Sequence, residues 1–347
     1  MKTEHFELEL LTRCFLGGAN PLTTAELRAS SIRGQLRWWF RTLGGFNAPA
    51  SSNLRQQEDE IFGMAADGSG TAGMLRVQIL RTASVTQEVI GLGLGRVQVP
   101  VGEKYFLWPF EQDPMKPRAC LATGTKFQLR VHWRGNPALW PSIRALVTVF
   151  GQLGSLGTRS RRAMGALTFA NAPPNLSTAL AHFSSPTSIT VRQLNSVGHT
   201  TVQAAVAALA EWLKQWRGYT VSIRARQDHD LGAGLALATQ PAYRAALGLP
   251  IGQRFNGGRT VKWEFGRRPN KGRFASPVIL RPYRVAAQQW RALVIFVDAH
   301  EWPDDTMRLS PATGQPMPRQ VYLDDIAHDV SRDLYAEMKR LTPTPFP

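Results

Sequence analysis

The N-terminal half of the chain contains four predicted β-strands, and apolar and polar residues alternate, with the period of two of a strand, in the first and the third of them. Between them, two stretches repeat their apolar residues at the spacing of an α-helix. The predicted strands are 4–16, 73–82, 125–133 and 166–170, and the predicted helices are 30–45 and a segment that begins after Pro141. The resulting order, β-α-β-β-α-β, is typical of a ferredoxin-like or split βαβ fold.

The C-terminal half repeats this order more loosely. A cluster of Pro and Ser at 173–188 predicts a linker. The strands predicted beyond the linker are 188–194, 219–225, 260–266, 276–284 and 290–297, and the helices are 201–217 and 324–341. In the N-terminal half, the regions 46–72 and 84–124 are predicted to be irregular. We therefore expect an α+β protein with two tandem ferredoxin-like domains bearing insertions, at residues 1–172 and 186–347.

The charge of the chain indicates a polyanionic partner. Its 347 residues include 41 Lys and Arg against 25 Asp and Glu, which gives a formal net charge of +16. The segment from Asp298 onward carries −4, so residues 1–297 carry +20. The C-terminal segment is therefore a poor candidate for the polyanion surface. The preference for Arg over Lys suits phosphate contacts and stacking on bases, although a GC-rich genome would give the same preference.

The expected compartment is the cytoplasm. No apolar run reaches the ~18 residues of a membrane span, and the first ten residues lack the basic and apolar blocks of a signal peptide. Cys14 and Cys120 form no CxxC motif, and both are expected to be reduced core thiols.

The helix predicted at 30–45, SSIRGQLRWWFRTLGG, combines an apolar side with a stripe of arginines. At 100° per residue, the apolar side contains Ile32, Leu36, Trp39, Phe40 and Leu43, and the flank beside it contains Arg33, Arg37 and Arg41. Trp38 falls on the far side. Two interpretations remain open: Trp38 packs against a second domain beside solvated arginines, or the arginines bind phosphates while Trp38 stacks on a base.

A second basic cluster lies at 151–165, GQLGSLGTRSRRAMG, where four glycines surround Arg159, Arg161 and Arg162. Glycines let a backbone approach a ligand closely, and three arginines within four positions favour an anionic partner. The segment lacks the GxxxxGK[ST] pattern of a P-loop. The alternative is a mobile surface loop.

These segments, taken in order, resemble a known family. The helix 30–45, the following EDEIFG, the loop FGQLGSLGTRSRRAMGAL, and the later ALGLPI and RFASPVILRPYR resemble the RAMP proteins of CRISPR effector complexes. The resemblance is narrower to the first-named subunit of the type III-B, or Cmr, complex. It extends over residues 30–284.

The resemblance implies two tandem RRM-like ferredoxin folds in a non-catalytic subunit. That subunit would lie near the distal (3′) end of the guide RNA, opposite the end that holds the 5′ tag. Its implied partners are the guide RNA, single-stranded target RNA and other RAMP subunits of the Cmr complex, without a membrane or a cofactor. Besides the helix and the loop, the RxASP-type segment maps onto Arg273, Ser276 and Pro277, and Arg281 follows in the same segment as a further RNA-binding candidate.

An enzymatic function has little support from the sequence. None of the seven histidines lies within a few residues of the arginine clusters, and GxSxG, HExxH and paired catalytic carboxylates are absent. Asp228, His229 and Asp230 are the best metal candidate, but three adjacent residues cannot easily face one ion. The alternative function is a metal-independent endoribonuclease that processes guide RNA with His132 or His5. A third possibility is a structural adaptor whose arginines contact acidic proteins.

Overall fold

The structure is a computed structural model of the chain. It describes residues 1–47, 53–64, 70–80, 87–90, 99–111, 118–218, 222–233, 243, 247–248, 251–254, 260–265, 273–298, 307–311, 321–323, 326–342 and 344–346. The elements up to residue 170 are β1 (Lys2–Leu10), α1 (Ala29–Thr42), α2 (Leu54–Phe62), β2 (Leu75–Leu80), β3 (Gln87–Ile90), α3 (Val101–Glu111), β4 (Arg118–Leu121), β5 (Lys126–Trp133), α4 (Trp140–Leu153) and β6 (Leu167–Phe169). Those that follow are α5 (Leu176–Leu180), β7 (Ile189–Gln193), α6 (Val202–Arg217), α7 (Ile223–Ala233), β8 (Ile251–Arg254), β9 (Thr260–Phe265), β10 (Val278–Ala286), β11 (Gln289–Val297), β12 (Met307–Pro311), β13 (Val321–Leu323), α8 (Ile326–Leu341) and β14 (Thr344–Pro345).

The first sheet is antiparallel and has the strand order β2-β5-β1-β6. Alternation along β1 buries Phe6, Leu8 and Leu10, which lie on the same face as the buried Leu129 and Val131 of β5. Helices α1 and α4 bury their apolar faces in the core cluster that contains these strand residues. The sheet and its two helices therefore form one hydrophobic core.

Three further groups of strands complete the fold. The second sheet has the order β10-β11-β7-β14, with β7 and β11 antiparallel. The third, β13-β12-β9-β8, is antiparallel throughout, and β3 and β4 form a two-stranded ladder. The expectation of a mixed α+β fold with antiparallel sheets is confirmed.

Helix α1 lies where its periodicity predicts it. Ile32, Leu36, Trp39 and Phe40 are at most 1% exposed. The helix ends at a pair of glycines, because Gly44 and Gly45 adopt left-handed φ angles of 76° and 77°.

Several predicted elements differ from the structure. The first strand ends at Leu10 rather than at 16, and 46–72 contains the helix α2 instead of being irregular throughout. The region 84–124, which was expected to be irregular, contains β3, α3 and β4. The strand predicted at 219–225 is wrong from Ile223 onward, because α7 begins there. Residues 219–221 of that predicted strand lie outside the described residues. The apolar periodicity of these segments was too short to distinguish helix, strand and loop.

The described residues form two compact units. One comprises Met1–Leu209, Ile279–Ala299 and Pro345–Pro347, and the other comprises Ala210–Val278 and His300–Thr344. The first unit therefore holds the first sheet and nearly all of the second. These units do not coincide with the expected domains 1–172 and 186–347, whose limits stay a prediction. The expected linker contains α5 and the buried Phe183, whose ring lies 5.4 Å from that of Phe46.

Two further expectations concern single features. Cys14 and Cys120 are buried free thiols, and burial raises the pKa of Cys120 to about 12. Among the described helices, none combines the length and the apolar character that a membrane span requires.

Trp39→Ala is expected to destabilise the protein by about 3–5 kcal/mol, because it removes a fully buried ring from the first core. The measurement is the unfolding midpoint in denaturant or heat. Trp38→Ala is the control, since Trp38 is only partly buried, and it should stay close to wild type. Equal losses of stability for the two variants would show that both rings are structural.

Candidate nucleic-acid interface

The glycine-rich loop contains backbone conformations that residues with a side chain rarely adopt. Gly157 and Gly165 have φ angles of 80° and 64°. A Cβ atom at Gly157 would lie 2.6 Å from the carbonyl oxygen of Phe15, and one at Gly165 would collide with that of Leu156. Glycine is therefore required at both positions. Arg159 also has a positive φ of 67°, so its side chain leaves the loop in an unusual direction.

Backbone hydrogen bonds hold this loop on two sides. Ala163 N–H donates to Leu280 O on β10 at 2.9 Å, and Leu280 N–H donates to Arg161 O at 3.2 Å. On the other side, Gly165 N–H donates to Arg13 O at 2.8 Å. The interpretation as a mobile surface loop therefore loses its basis, because the loop bonds to β10 and to the segment after β1.

The buried side chain of Arg281 forms hydrogen bonds with both ends of the loop. Its side chain is fully buried and donates to the carbonyl oxygens of Gly154 at 2.9 Å and Leu167 at 2.6 Å, and to that of Pro282 at 3.2 Å. Burial lowers the pKa of Arg281 to about 9, so it remains a cation at neutral pH. No guanidinium surface is left for a phosphate, so the expected RNA contact of Arg281 is corrected to a structural role.

The two predicted basic segments meet at Trp38. The guanidinium carbon of Arg161 lies 5.0 Å from the centroid of the Trp38 ring, a cation–π distance. The Trp38 ring in turn contacts Trp39 edge to face, with centroids 4.9 Å apart. The structure thereby joins α1 and the glycine-rich loop into one surface, which we call the Trp38–Arg161 surface.

The other two loop arginines occupy different environments. The guanidinium carbon of Arg159 lies 5.9 Å from the Phe110 ring centroid, and the residue is half-buried. Arg162 is buried, and its Nη1 donates to Arg161 O at 3.0 Å. Burial lowers the pKa of Arg161 to about 10, which leaves it protonated at neutral pH. Arg159 and Arg161 are therefore better placed than Arg162 to meet a ligand.

The arginine stripe of α1 is tied to α2. Arg37 and Arg41 both form ion pairs with Glu58, with Arg41 Nε 2.6 Å from Glu58 Oε2. The Arg33 guanidinium donates to the carbonyl oxygen of Phe62. Arg41 retains the most surface, with 56% of its side chain exposed. The charge of the stripe is thus partly neutralised, which could not be predicted from the sequence while residues 46–72 were expected to be irregular.

A capping box was the sequence signal for α2. The Asn53 side chain accepts from Gln56 N–H, and the Gln56 side chain accepts from Asn53 N–H. An Asn followed three residues later by Gln, before the polar run that ends in Ile61 and Phe62, fits this motif.

Arg273 and His132 are the remaining candidates. Arg273 is exposed and belongs to the second compact unit. His132 lies on the open face of the first sheet, where its Nδ1 is 2.8 Å from Thr3 Oγ1. Desolvation and the neighbouring Arg130 and Arg76 lower the pKa of His132. Within the described residues, no group of three or more His, Cys, Asp and Glu could hold a metal ion.

Comparisons with known proteins identify the class. Residues 7–168, which contain the whole Trp38–Arg161 surface, match the model of the RAMP superfamily, and we call them the RAMP region. The resemblance seen in the sequence is confirmed.

Two proteins with similar sequences come from Pyrococcus furiosus. The chain is homologous to two Pyrococcus furiosus proteins: it is 29% identical to CRISPR system Cmr subunit Cmr1-1 over 48% of this chain and 47% of that protein, and 30% identical to Cmr1-2 over 24% and 44%. The aligned regions thus span about half the length of these relatives. The crystal structure of Cmr1 from P. furiosus in its apo form matches with a TM-score of 0.54 at 14% identity, covering 98% of this chain and 97% of that one. The fold of this chain is therefore similar to that of the solved Cmr1 structure.

Glu58→Gln is expected to destabilise the protein in a pH-dependent manner. Burial raises the pKa of the Glu58 carboxyl, but hydrogen bonds from Arg41 and Arg37 outweigh this and hold the pKa below its usual value. The stabilisation is therefore complete above the unfolded-state pKa of about 4.3 and is lost as the pH falls through the folded-state value. Melting temperatures of wild type and variant should differ at pH 7 and converge in acid. A difference that is constant with pH would contradict this role of Glu58.

Proposed function

We propose that this protein is a non-catalytic, RNA-binding subunit of a type III-B CRISPR effector complex. The observation that carries the proposal is the contact of Arg161 with Trp38, which unites two separate basic segments of a RAMP region on one surface. A cation beside an aromatic ring suits a single strand, since the cation meets the phosphates while the ring or the guanidinium plane stacks on a base. The excess of +20 on residues 1–297 supports the same partner.

The proposed RNA contacts are Arg33, Arg37, Trp38, Arg41, Arg159, Arg161 and Arg273. Arg159, Arg161 and Trp38 form the centre of this set. Arg37 and Arg41 contribute less because they share Glu58. Arg162 is left out of the proposed RNA contacts and is assigned a structural role, because it is buried.

We infer that the chain contains two ferredoxin-like repeats, one for each of the first two sheets. In both sheets, the strand that comes first in the chain lies between the third and the fourth, and the second pairs with the third at the edge. A helix follows the first strand and another precedes the fourth: α1 and α4 in one case, α6 and α8 in the other. The second repeat then carries α7 and the third sheet as insertions.

The homology to Cmr1 supports a place beside other RAMP subunits of a Cmr complex in the cytoplasm. We place the RNA contact near the distal, 3′ end of the guide, with the guide, the bound target strand or both as the ligand. Pull-down of the assembled complex, followed by crosslinking and sequencing of the RNA attached to this subunit, tests that position. Crosslinks confined to the 5′ tag would refute it.

The first functional prediction concerns the loop. Replacing Arg159 and Arg161 by Ala is expected to weaken binding of single-stranded RNA and to reduce the slope of log K against log salt by about 0.7 for each phosphate that the protein no longer neutralises. Arg340→Ala is the matched control, because Arg340 is exposed on α8 within the acidic C-terminal segment. An unchanged affinity and slope in the double variant would remove the loop from the proposed RNA contacts.

The second concerns Trp38. Its replacement by Ala is expected to reduce the affinity for RNA by about 1–3 kcal/mol because an aromatic platform is removed, with little effect on unfolding. Fluorescence anisotropy with a labelled RNA, together with a melting curve, checks both parts. If stability and affinity fall together, Trp38 acts as packing for the loop and not as a platform.

The competing function of guide-RNA processing has one observation in its favour, since His5 and His132 lie near each other on the open sheet face, and the His5 charge contributes to lowering the pKa of His132. We expect labelled repeat RNA to be retained but not cut by the protein in EDTA. Specific cleavage that disappears in both His5→Ala and His132→Ala would establish the enzyme instead.

A further inference from the structure

A cavity of about 510 Å³ opens beside α1. Its lining includes four arginines, Arg33 and Arg37 from α1, Arg76 from β2 and Arg134 after β5, together with Phe62 and Gly73. Among the lining residues that the structure describes, none is acidic. Such a volume lies within the usual range for small-molecule sites.

Two of the four arginines in this cavity donate hydrogen bonds to uncharged backbone carbonyl groups. Arg33 donates to the carbonyl oxygen of Phe62, and Arg134 approaches that of Gly73 at 3.5 Å. These acceptors are neutral, so they orient the guanidinium groups without cancelling their charge. Arg37 is the exception, since Glu58 neutralises it in part.

The cavity also has an aromatic surface. The ring of Phe62 lies 6.0 Å from the guanidinium carbon of Arg37, at the end of α2. The site therefore pairs several cationic donors with one aromatic wall.

We propose that this cavity binds the phosphate monoester group of a nucleotide. A monoester carries −1.5 to −2 charges at pH 7, against −1 for a phosphodiester within a strand, and three terminal oxygens match several guanidinium forks. The ligand is either a free mononucleotide or a phosphorylated end of RNA, which share this chemistry. The inference goes beyond the proposed RNA contact and does not depend on it.

Titration calorimetry of the full chain with 5′-AMP, adenosine and inorganic phosphate tests the proposal. AMP is expected to bind, phosphate to compete with it, and adenosine to bind at least tenfold more weakly. Arg76→Gln and Arg134→Gln change exposed residues that do not support the fold, and each is expected to weaken AMP binding by roughly tenfold because a charge-assisted hydrogen bond is removed. Arg55→Gln, on the exposed start of α2, is the matched control and should bind AMP like wild type.

Short RNAs that end either in a phosphate or in a hydroxyl, and are otherwise identical, distinguish the two possible ligands, a phosphorylated RNA end and a free mononucleotide. A preference for the phosphorylated RNA that Arg134→Gln abolishes identifies an RNA end, and AMP binding without that preference identifies a free nucleotide. Both outcomes support the site. Equal binding of AMP and adenosine, or equally weakened AMP binding in Arg55→Gln and Arg134→Gln, would overturn it. The Arg159/Arg161 double variant should still bind AMP, which separates failure of this site from failure of the RNA surface.

Discussion

The position of the basic loop depends on one buried cation. Arg281 donates to the carbonyl oxygens of Gly154 and Leu167, which lie at the end of α4 and the start of β6. A buried guanidinium without acceptors would be strongly destabilising, so these carbonyl contacts are necessary for the fold. Because the same side chain bonds to both ends of the loop, it fixes their separation. The position of the loop segment that carries Arg159 and Arg161 follows from this anchor, together with the bonds between the loop and Leu280.

Electrostatics divide α1 into parts with different uses. Toward α2, Glu58 accepts from two of its arginines and converts much of their charge into a contact between helices. The rest of the helix presents Trp38 to the loop and Arg33 to the arginine-lined cavity. The three arginines of the stripe in α1 thus perform two separate tasks. Which task each arginine performs is decided by its neighbours in space and not by its spacing.

The periodic elements were predictable from the sequence, and the partners of the charged residues were not. Helix α1 and the strands β2, β5 and β11 follow patterns long enough to exclude alternatives. The start of α7, residues 223–225, was predicted as the end of a strand because the helix sequence, IRARQDHDLGA, has almost no apolar face. Arg281 was taken for a surface residue because an arginine is usually exposed, although the apolar VIL before it and the proline after it were a sign of burial. Glu58 was missed because pairing across two helices requires knowledge of how they pack.

The connectivity of the second sheet has a consequence for how the chain reaches its folded state. Its strand β7 is flanked by β11 and β14, and Phe346 N–H donates to Val191 O at 3.1 Å, so residues far apart in the chain complete one sheet. The first sheet, by contrast, is finished by β6. During translation, the strands of the first sheet can therefore pair while both edges of β7 remain open, because the strands that pair with β7 have not yet been synthesised. Such a nascent intermediate exposes backbone donors and acceptors to other chains, and it is the stage at which chaperones would protect this protein from aggregation.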